Sequence, residues 1–95
     1  MGIEEITKHK SQILTLAARY GASNIRVFGS VAKGTADKNS DVDFLVELEA
    51  GRSLFDLGGL LMDLQNLLNC KVDIVTEKGL HWYVKDRVLE EAKPL

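Results

Sequence analysis

The sequence is poor in the features that mark secreted, membrane-spanning and nucleic-acid-binding proteins. It holds a single cysteine, Cys70, so no internal disulfide can form. No apolar run approaches the roughly 20 residues that a bilayer-spanning helix needs, and the opening MGIEEITKHK does not have the pattern of a signal peptide. The net charge of -2 lacks the basic excess of a general nucleic-acid binder. We therefore expect a cytoplasmic protein with no membrane segment and no general affinity for nucleic acid.

The chain is also short, without repeats, linkers or low-complexity tracts. Its 95 residues, 45% of them hydrophobic and 27% charged, are typical of one globular domain, which we place at residues 1–95. A chain of this size buries only about two-thirds of its unfolded surface. We expect a partner subunit to cover more apolar area.

Apolar spacing and turn residues predict six main elements, one short helix and one polar loop. They are a helix from Ile3 to Tyr20, a strand from Asn24 to Phe28, a brief helix from Val31 to Thr35, a polar loop over 36–40, a strand from Asp41 to Leu48, a helix capped by Ser53, a strand from Lys71 to Val75 and a helix from Leu80 to Ala92. This order predicts an α+β fold, a small mixed β-sheet with helices packed on one face.

The same spacing predicts which side chains are buried. The first helix should bury Ile3, Ile6, Ile13, Leu14, Ala17 and Ala18, and the helix after Ser53 should bury Leu54, Leu57, Leu61, Leu64 and Leu68. Two glycines, Gly58 and Gly59, weaken that second helix unless close packing requires them. Trp82 and Tyr83 are interpreted as core or partner-interface aromatics.

The clearest strand carries two aspartates on one face. Val42, Phe44, Val46 and Leu48 alternate with Asp41, Asp43, Leu45 and Glu47. The two aspartates lie roughly 7 Å apart along the strand, where their charges repel by about 2 kcal/mol at an effective dielectric near 20. A bound divalent cation reverses the sign of that interaction. The competing interpretation is a solvated strand face, and a third aspartate and a Gly-Ser turn argue against it.

The third aspartate, Asp73, interrupts the apolar run Val72, Ile74 and Val75. An unpaired carboxylate in such a strand is costly to desolvate, and this strand can neighbour the first pair. Three carboxylates with no histidine or cysteine nearby favour Mg²⁺ or Mn²⁺ over Zn²⁺. Two such ions, held by shared carboxylates, are the usual apparatus of phosphoryl and nucleotidyl transfer.

The Gly-Ser turn comes ten residues before the first aspartate. Gly29 allows close approach of the backbone to a ligand, and the amides after it, together with the Ser30 hydroxyl, could bind phosphate oxygens. Lys33 could add a positive charge. The stretch from Gly29 to Thr35 is not a P-loop, because the lysine required between Gly34 and Thr35 is missing.

The stretch GSVAKGTADKNSDVD resembles the G-S, ten residues, D-x-D signature of the polymerase-beta-type nucleotidyltransferase superfamily. The later KVDIV resembles its third-carboxylate strand. Chain length, the helix between these pieces and the ending VLEEAKPL are similar to the minimal nucleotidyltransferase (MNT) branch, so the resemblance covers nearly the whole chain.

The resemblance implies a role for each matching position. Asp41 and Asp43 would bind two Mg²⁺ ions, and Asp73 would complete the catalytic metal site and help position or deprotonate the acceptor hydroxyl. Gly29 and Ser30 would hold the β- and γ-phosphates of a nucleoside triphosphate. Many relatives have Arg at the position of Lys33, and Lys lacks the bidentate fork of Arg.

The resemblance also implies a partner. MNT proteins of this kind act as antitoxins to HEPN-domain ribonuclease toxins and transfer AMP from ATP to a tyrosine of the toxin. We therefore expect a Mg²⁺-dependent adenylyltransferase that forms a hetero-oligomer with a HEPN toxin. Two alternatives stay open: transfer to a small-molecule acceptor, as in aminoglycoside nucleotidyltransferases, and a non-catalytic antitoxin that binds and occludes its partner.

Overall fold

The fold is a four-stranded sheet with helices packed against it, seen in a computed structural model that describes residues 1–37 and 39–95. The elements are α1 (Ile3–Lys8), α2 (Lys10–Arg19), β1 (Ala22–Phe28), α3 (Gly29–Lys33), β2 (Val42–Leu48), α4 (Leu54–Leu68), β3 (Val72–Thr76), α5 (Trp82–Glu91) and β4 (Lys93–Pro94). The small mixed α+β architecture predicted from the sequence is confirmed. The predicted polar loop over 36–40 includes Lys38, which lies outside the described residues.

The strands lie in the order β3-β2-β1-β4. Strand β1 runs antiparallel to both β2 and β4, whereas β2 and β3 are parallel. The parallel pair needs a crossover connection, which α4 provides. Because β2 and β3 run in the same direction, the residues at their N-terminal ends lie side by side at one end of the sheet.

One face of the sheet forms the main core. Val42, Phe44 and Val46 of β2 are fully buried there, as their alternation along the strand predicts. Buried apolar side chains of α1, α2 and α4 pack against them: Ile6, Ile13, Ala17, Leu60, Leu64 and Leu68. In contrast, the residues of α5 are exposed or half-buried, and this helix contacts α3. Within residues 1–37 and 39–95, no helix has the length and apolar character that crossing a bilayer requires.

The predicted N-terminal helix is two helices, because the chain leaves helical geometry at His9. His9 has φ -97° and ψ 11°, and its N–H donates to the carbonyl of Ile6 at 3.0 Å. Ile6 of α1 and Ile13 of α2 are both fully buried. Two predictions for this segment are wrong, since Leu14 is 38% exposed and Ala18 is exposed.

Helix α4 begins where its sequence predicts. The Ser53 Oγ accepts from the Phe55 N–H at 3.2 Å, and the Asp56 carboxylate accepts from the Ser53 N–H at 3.0 Å, which together form a capping box. The helix ends at Asn69 in a left-handed conformation. The prediction for Leu54 is wrong, because its side chain is 81% exposed.

The two glycines of α4 differ in their surroundings. A Cβ at Gly59 would lie 2.6 Å from Cε1 of Tyr20, whereas a Cβ at Gly58 would meet none of the described atoms within 4 Å. Tyr20 is held in place by its hydroxyl, which donates to Asp63 at 2.8 Å. Close packing therefore requires glycine at position 59 and not at position 58.

Candidate active site

The centre of the candidate site is a pair of aspartates on neighbouring strands. Asp43 of β2 and Asp73 of β3 are direct partners in the parallel register. Residues in register on adjacent parallel strands project to the same face, with backbones roughly 4.8 Å apart. Asp41 comes immediately before β2, two residues from Asp43, and is half-buried. The fold thus brings Asp43 and Asp73 side by side at the end of the sheet where β2 and β3 begin.

The electrostatics of this pair are unfavourable in the metal-free protein. The pKa of Asp43 is raised from its ordinary value of 3.8, first by burial and then by the charges of Asp73 and Asp41. Lys71 forms an ion pair here, with its Nζ 3.9 Å from Asp41 Oδ2, but this lysine side chain is 78% exposed. Such an exposed pair compensates little of the repulsion. Asp43 therefore lies where a positive charge would be strongly favoured.

The Gly-Ser turn lies directly beside Asp43. The last residue of β1, Phe28, is the antiparallel partner of Asp43, so Gly29 emerges next to that carboxylate. Gly29 has φ +71°, and a Cβ at this position would overlap Oδ2 of Asp43 and lie 3.3 Å from its Cγ. Two independent constraints, the left-handed backbone and the close approach, therefore require glycine. Ser30 is the next residue, in the first turn of α3, and is half-buried.

Lys33 lies at the opposite end of the short helix α3 from Ser30. Its Nζ lies 3.5 Å from Oε1 of Glu91 on α5, and its side chain is 52% exposed. The structure therefore places Lys33 in a surface ion pair near the site, one helical turn from the Gly-Ser turn. Its predicted contact with a nucleotide stays a prediction.

The aspartate face is less open than the sequence suggests. Leu45, on the same face as Asp43, is fully buried, which contradicts the expectation of a sheet packed on one side only. Across from Leu45 lies Arg26, whose Nη2 donates to Glu77 Oε2 at 3.0 Å with only 13% of the arginine side chain exposed. This ion pair was not predicted from the sequence. Its one visible signal was an arginine between the apolar residues Ile25 and Val27 of the strand NIRVF.

The donor set fits a hard divalent cation, although the carboxylates do not form a closed cage. In the part of the chain that the structure describes, no three His, Cys, Asp or Glu side chains are grouped tightly enough to hold a metal by themselves. Oxygen-only ligands in an open arrangement match Mg²⁺, which keeps several water or phosphate ligands of its own. The absence of a side chain at Gly29 leaves room for the Asp43 carboxylate.

A mixed sheet with paired carboxylates at one end, next to a glycine-serine turn, defines the palm of a nucleotidyltransferase. The sequence matches the nucleotidyltransferase domain family over residues 6–95, and the chain belongs to that family. The resemblance to this group, predicted from the spacing of the motif, is confirmed.

Similar proteins refine the class. A solved structure described provisionally as a minimal nucleotidyltransferase is 46% identical, with a TM-score of 0.90 over 100% of this chain and 97% of that one. Protein adenylyltransferase MntA of Thermococcus cleftensis is 38% identical over 86 residues, 90% of this chain and 84% of the relative. A Methanocaldococcus jannaschii protein named provisionally as protein adenylyltransferase MJ0435 is 38% identical over 92 residues, which cover 97% of this chain and 96% of the length of that protein.

A more distant structural neighbour shares the fold. It is a chain of a toxin-antitoxin complex with AMP-PNP, 24% identical with a TM-score of 0.76, and the match covers 88% of this chain and 69% of that one. The protein is therefore a nucleotidyltransferase of minimal size.

Proposed function

We propose that the protein is an antitoxin that transfers AMP from ATP to a tyrosine of a HEPN ribonuclease toxin, in the cytoplasm where ATP is available. The observation that carries this proposal is the in-register pairing of Asp43 and Asp73 beside Gly29. Support for a protein acceptor comes from relatives named as protein adenylyltransferases, and support for a toxin partner comes from the toxin-antitoxin neighbours.

In this proposal each side chain has a defined task. Asp41 and Asp43 hold two Mg²⁺ ions, with Mn²⁺ as a substitute, and Asp73 completes the site of one of them. Gly29 and Ser30 contact the β- and γ-phosphates, and Lys33 adds positive charge after release from Glu91. When bound, Mg²⁺ would neutralise the negative charge of the triphosphate and of the departing pyrophosphate.

The acceptor step depends on the same arrangement. The tyrosine oxygen forms a bond to the α-phosphorus of ATP, the bond from that phosphorus to the bridging oxygen breaks, and pyrophosphate leaves. Asp73 is the exposed member of the pair, so it can face the incoming hydroxyl and take its proton. Asp43 lies deeper, beside Gly29, where it faces the nucleotide.

The test is a transfer assay with purified HEPN toxin from the same genome, ATP and Mg²⁺, read by intact mass. We expect the toxin to gain one AMP unit, the gain to require its tyrosine, and ribonuclease activity to fall in parallel. Replacing both Asp41 and Asp43 by Asn should abolish the mass gain, whereas Asp86→Asn, at an exposed position on α5, should leave it intact.

Two outcomes would contradict the proposal. If the variant with Asn at both positions 41 and 43 still neutralises the toxin at equal dose, neutralisation proceeds by occlusion and not by modification. If the toxin gains no mass while a small hydroxyl compound such as an aminoglycoside does, the acceptor is a small molecule.

A further inference from the structure

One lysine lies among the aspartates of the candidate site. Lys71 comes immediately before β3, as Asp41 comes immediately before β2, and its Nζ lies 3.9 Å from Asp41 Oδ2. The Val42 N–H donates to the Lys71 carbonyl at 3.0 Å, which joins the two strand beginnings at that point. Further along the same two strands, Asp43 and Asp73 are partners in register. Lys71 therefore joins the three aspartates at this end of the sheet.

The Lys71 side chain contributes charge here and little to the fold. Within residues 1–37 and 39–95, no other Lys, Arg or His forms an ion pair with Asp41, Asp43 or Asp73. The side chains of Lys71 and Asp41 are 78% and 43% exposed, and so open an ion pair stabilises a fold very little. The Lys71 ammonium can therefore leave Asp41 for a ligand with little loss of stability.

The strand order places Lys71 and the Gly-Ser turn on opposite sides of β2. Gly29 follows β1, Lys71 precedes β3, and β2 lies between these two strands. Neighbouring strands are roughly 4.8 Å apart, so the backbones of these positions are separated by roughly 10 Å. Asp43 is beside Gly29, whereas Asp73 is on the strand of Lys71 and is exposed. In the proposed reaction the nucleotide phosphates occupy the β1 side, so the acceptor approaches from the β3 side.

We propose that Lys71 is the cation on the acceptor side of the catalytic site, an inference that rests on the proposed function. In the free protein its ammonium pairs with Asp41, and in the reaction it contacts the acceptor oxygen. That oxygen gives its proton to Asp73 and bonds to the α-phosphorus, and pyrophosphate leaves with the electrons of the broken bond. Lys71 keeps its own proton throughout. Its positive charge offsets the negative charge that develops on the acceptor oxygen next to the aspartates.

Manganese binding to the nucleotide-free protein tests the position of Lys71 without an acceptor or turnover. Removing the lysine charge removes a competitor for the Asp41 carboxylate, so Lys71→Met should bind Mn²⁺ about 2–5-fold more tightly than the wild type. Electron paramagnetic resonance of free Mn²⁺ measures this affinity. Lys71→Arg should bind Mn²⁺ like the wild type. The matched control is Lys78→Met, which removes an exposed lysine beyond the other end of β3 and should leave the affinity unchanged.

Transfer kinetics test the contact with the acceptor. Lys71→Met should lower the rate of AMP transfer at saturating ATP and toxin by about 10–100-fold. It should leave the KM for ATP and the Kd for Mg²⁺-AMP-PNP unchanged, because Lys71 lies on the side of the site away from the phosphates. Lys71→Arg should restore most of the rate, since it keeps the positive charge. Lys78→Met should transfer AMP at the wild-type rate.

Three results would overturn the proposal: equal manganese affinity in the wild type and Lys71→Met, a wild-type transfer rate in Lys71→Met, or much weaker binding of AMP-PNP by that variant. A wild-type protein that does not modify the toxin would instead contradict the proposed function, and the manganese and AMP-PNP affinities would still decide on Lys71. Circular dichroism establishes that each variant is folded, and Lys71→Gln serves if Lys71→Met is not.

Discussion

Replacing Asp43 with Asn should stabilise the metal-free protein, although it removes a residue of the candidate site. Asp43 and Asp73 are in register on neighbouring strands, and the pKa of Asp43 is raised by burial and by its acidic neighbours. Two carboxylate charges roughly 5–6 Å apart repel by about 3 kcal/mol at an effective dielectric near 20. Water reaches this half-buried site, so we expect about 1 kcal/mol of net stabilisation from Asp43→Asn.

The pH dependence has a definite sign. Because the folded-state pKa of Asp43 lies above its unfolded value, the folded protein binds this proton more tightly than the unfolded chain. The destabilising contribution of Asp43 is absent below the ordinary pKa of 3.8, grows as the pH rises through the folded-state pKa, and is complete above it. The advantage of the Asn variant over the wild type should therefore be present at pH 7 and vanish in acid.

Thermal melting with and without Mg²⁺ measures how Asp43→Asn changes the stability of the metal-free protein and the stabilisation by Mg²⁺. For a domain of this size, 1 kcal/mol shifts Tm by about 4–8 °C, so the metal-free Asn variant should melt higher by that amount. Mg²⁺ at about 100 times its Kd should stabilise the wild type by roughly 2.7 kcal/mol and the variant far less. Asp86→Asn is the control and should change neither value. A metal-free Asn variant that melts below the wild type, or an equal Mg²⁺ response in both proteins, would refute the reasoning.

Four further substitutions concern three glycines and a helix cap. Gly29→Ala should lower AMP transfer by up to about 100-fold in the transfer assay, because its methyl group displaces the adjacent carboxylate; full activity would contradict this. Gly58→Ala should stabilise the protein by about 0.5–1 kcal/mol in urea unfolding. Gly59→Ala should cost about 1–3 kcal/mol by contact with Tyr20, so equal effects of the two alanines would refute the packing argument. Ser53→Ala should lower stability by about 1 kcal/mol through loss of the α4 cap, and an unchanged melt would contradict the capping assignment.

Local patterns predicted the elements that depend on short-range physics. The alternation in β2 and the helix cap at Ser53 each depend on neighbouring residues, and the structure has them where the sequence places them. The G-S to D-x-D spacing predicted which family the chain belongs to. It did so through its resemblance to the signature of the nucleotidyltransferase superfamily.

Features that depend on distant contacts were not predictable. The break at His9 has no glycine or proline to signal it, and the two-residue strand β4 exists only through pairing with β1. Periodicity placed Leu54 on the buried stripe of α4, but periodicity does not say how much of a helix its neighbours cover, and Leu54 is exposed. Leu45 was assigned to an open face because the sequence does not say what covers the second side of a sheet.

The candidate site likewise has a part that the sequence predicted and a part that it did not. The sequence predicted a strand from Asp41 to Leu48, whose period of two gives Asp41 and Asp43 a common face; in the structure β2 begins at Val42, one residue after Asp41. The sequence does not define the register between β2 and β3. The structure shows that Asp73, and not a residue earlier or later, lies opposite Asp43. The partly buried pair Arg26–Glu77 joins residues 51 positions apart and could not be inferred from either segment alone.

The most direct test of the proposed site is a crystal structure with Mn²⁺ and a non-hydrolysable ATP analogue, using the anomalous signal of manganese. We expect manganese bound to Asp41 and Asp43, with Asp73 at one of the ions and the phosphates against Gly29 and Ser30. Manganese and nucleotide bound away from these carboxylates would contradict the assignment.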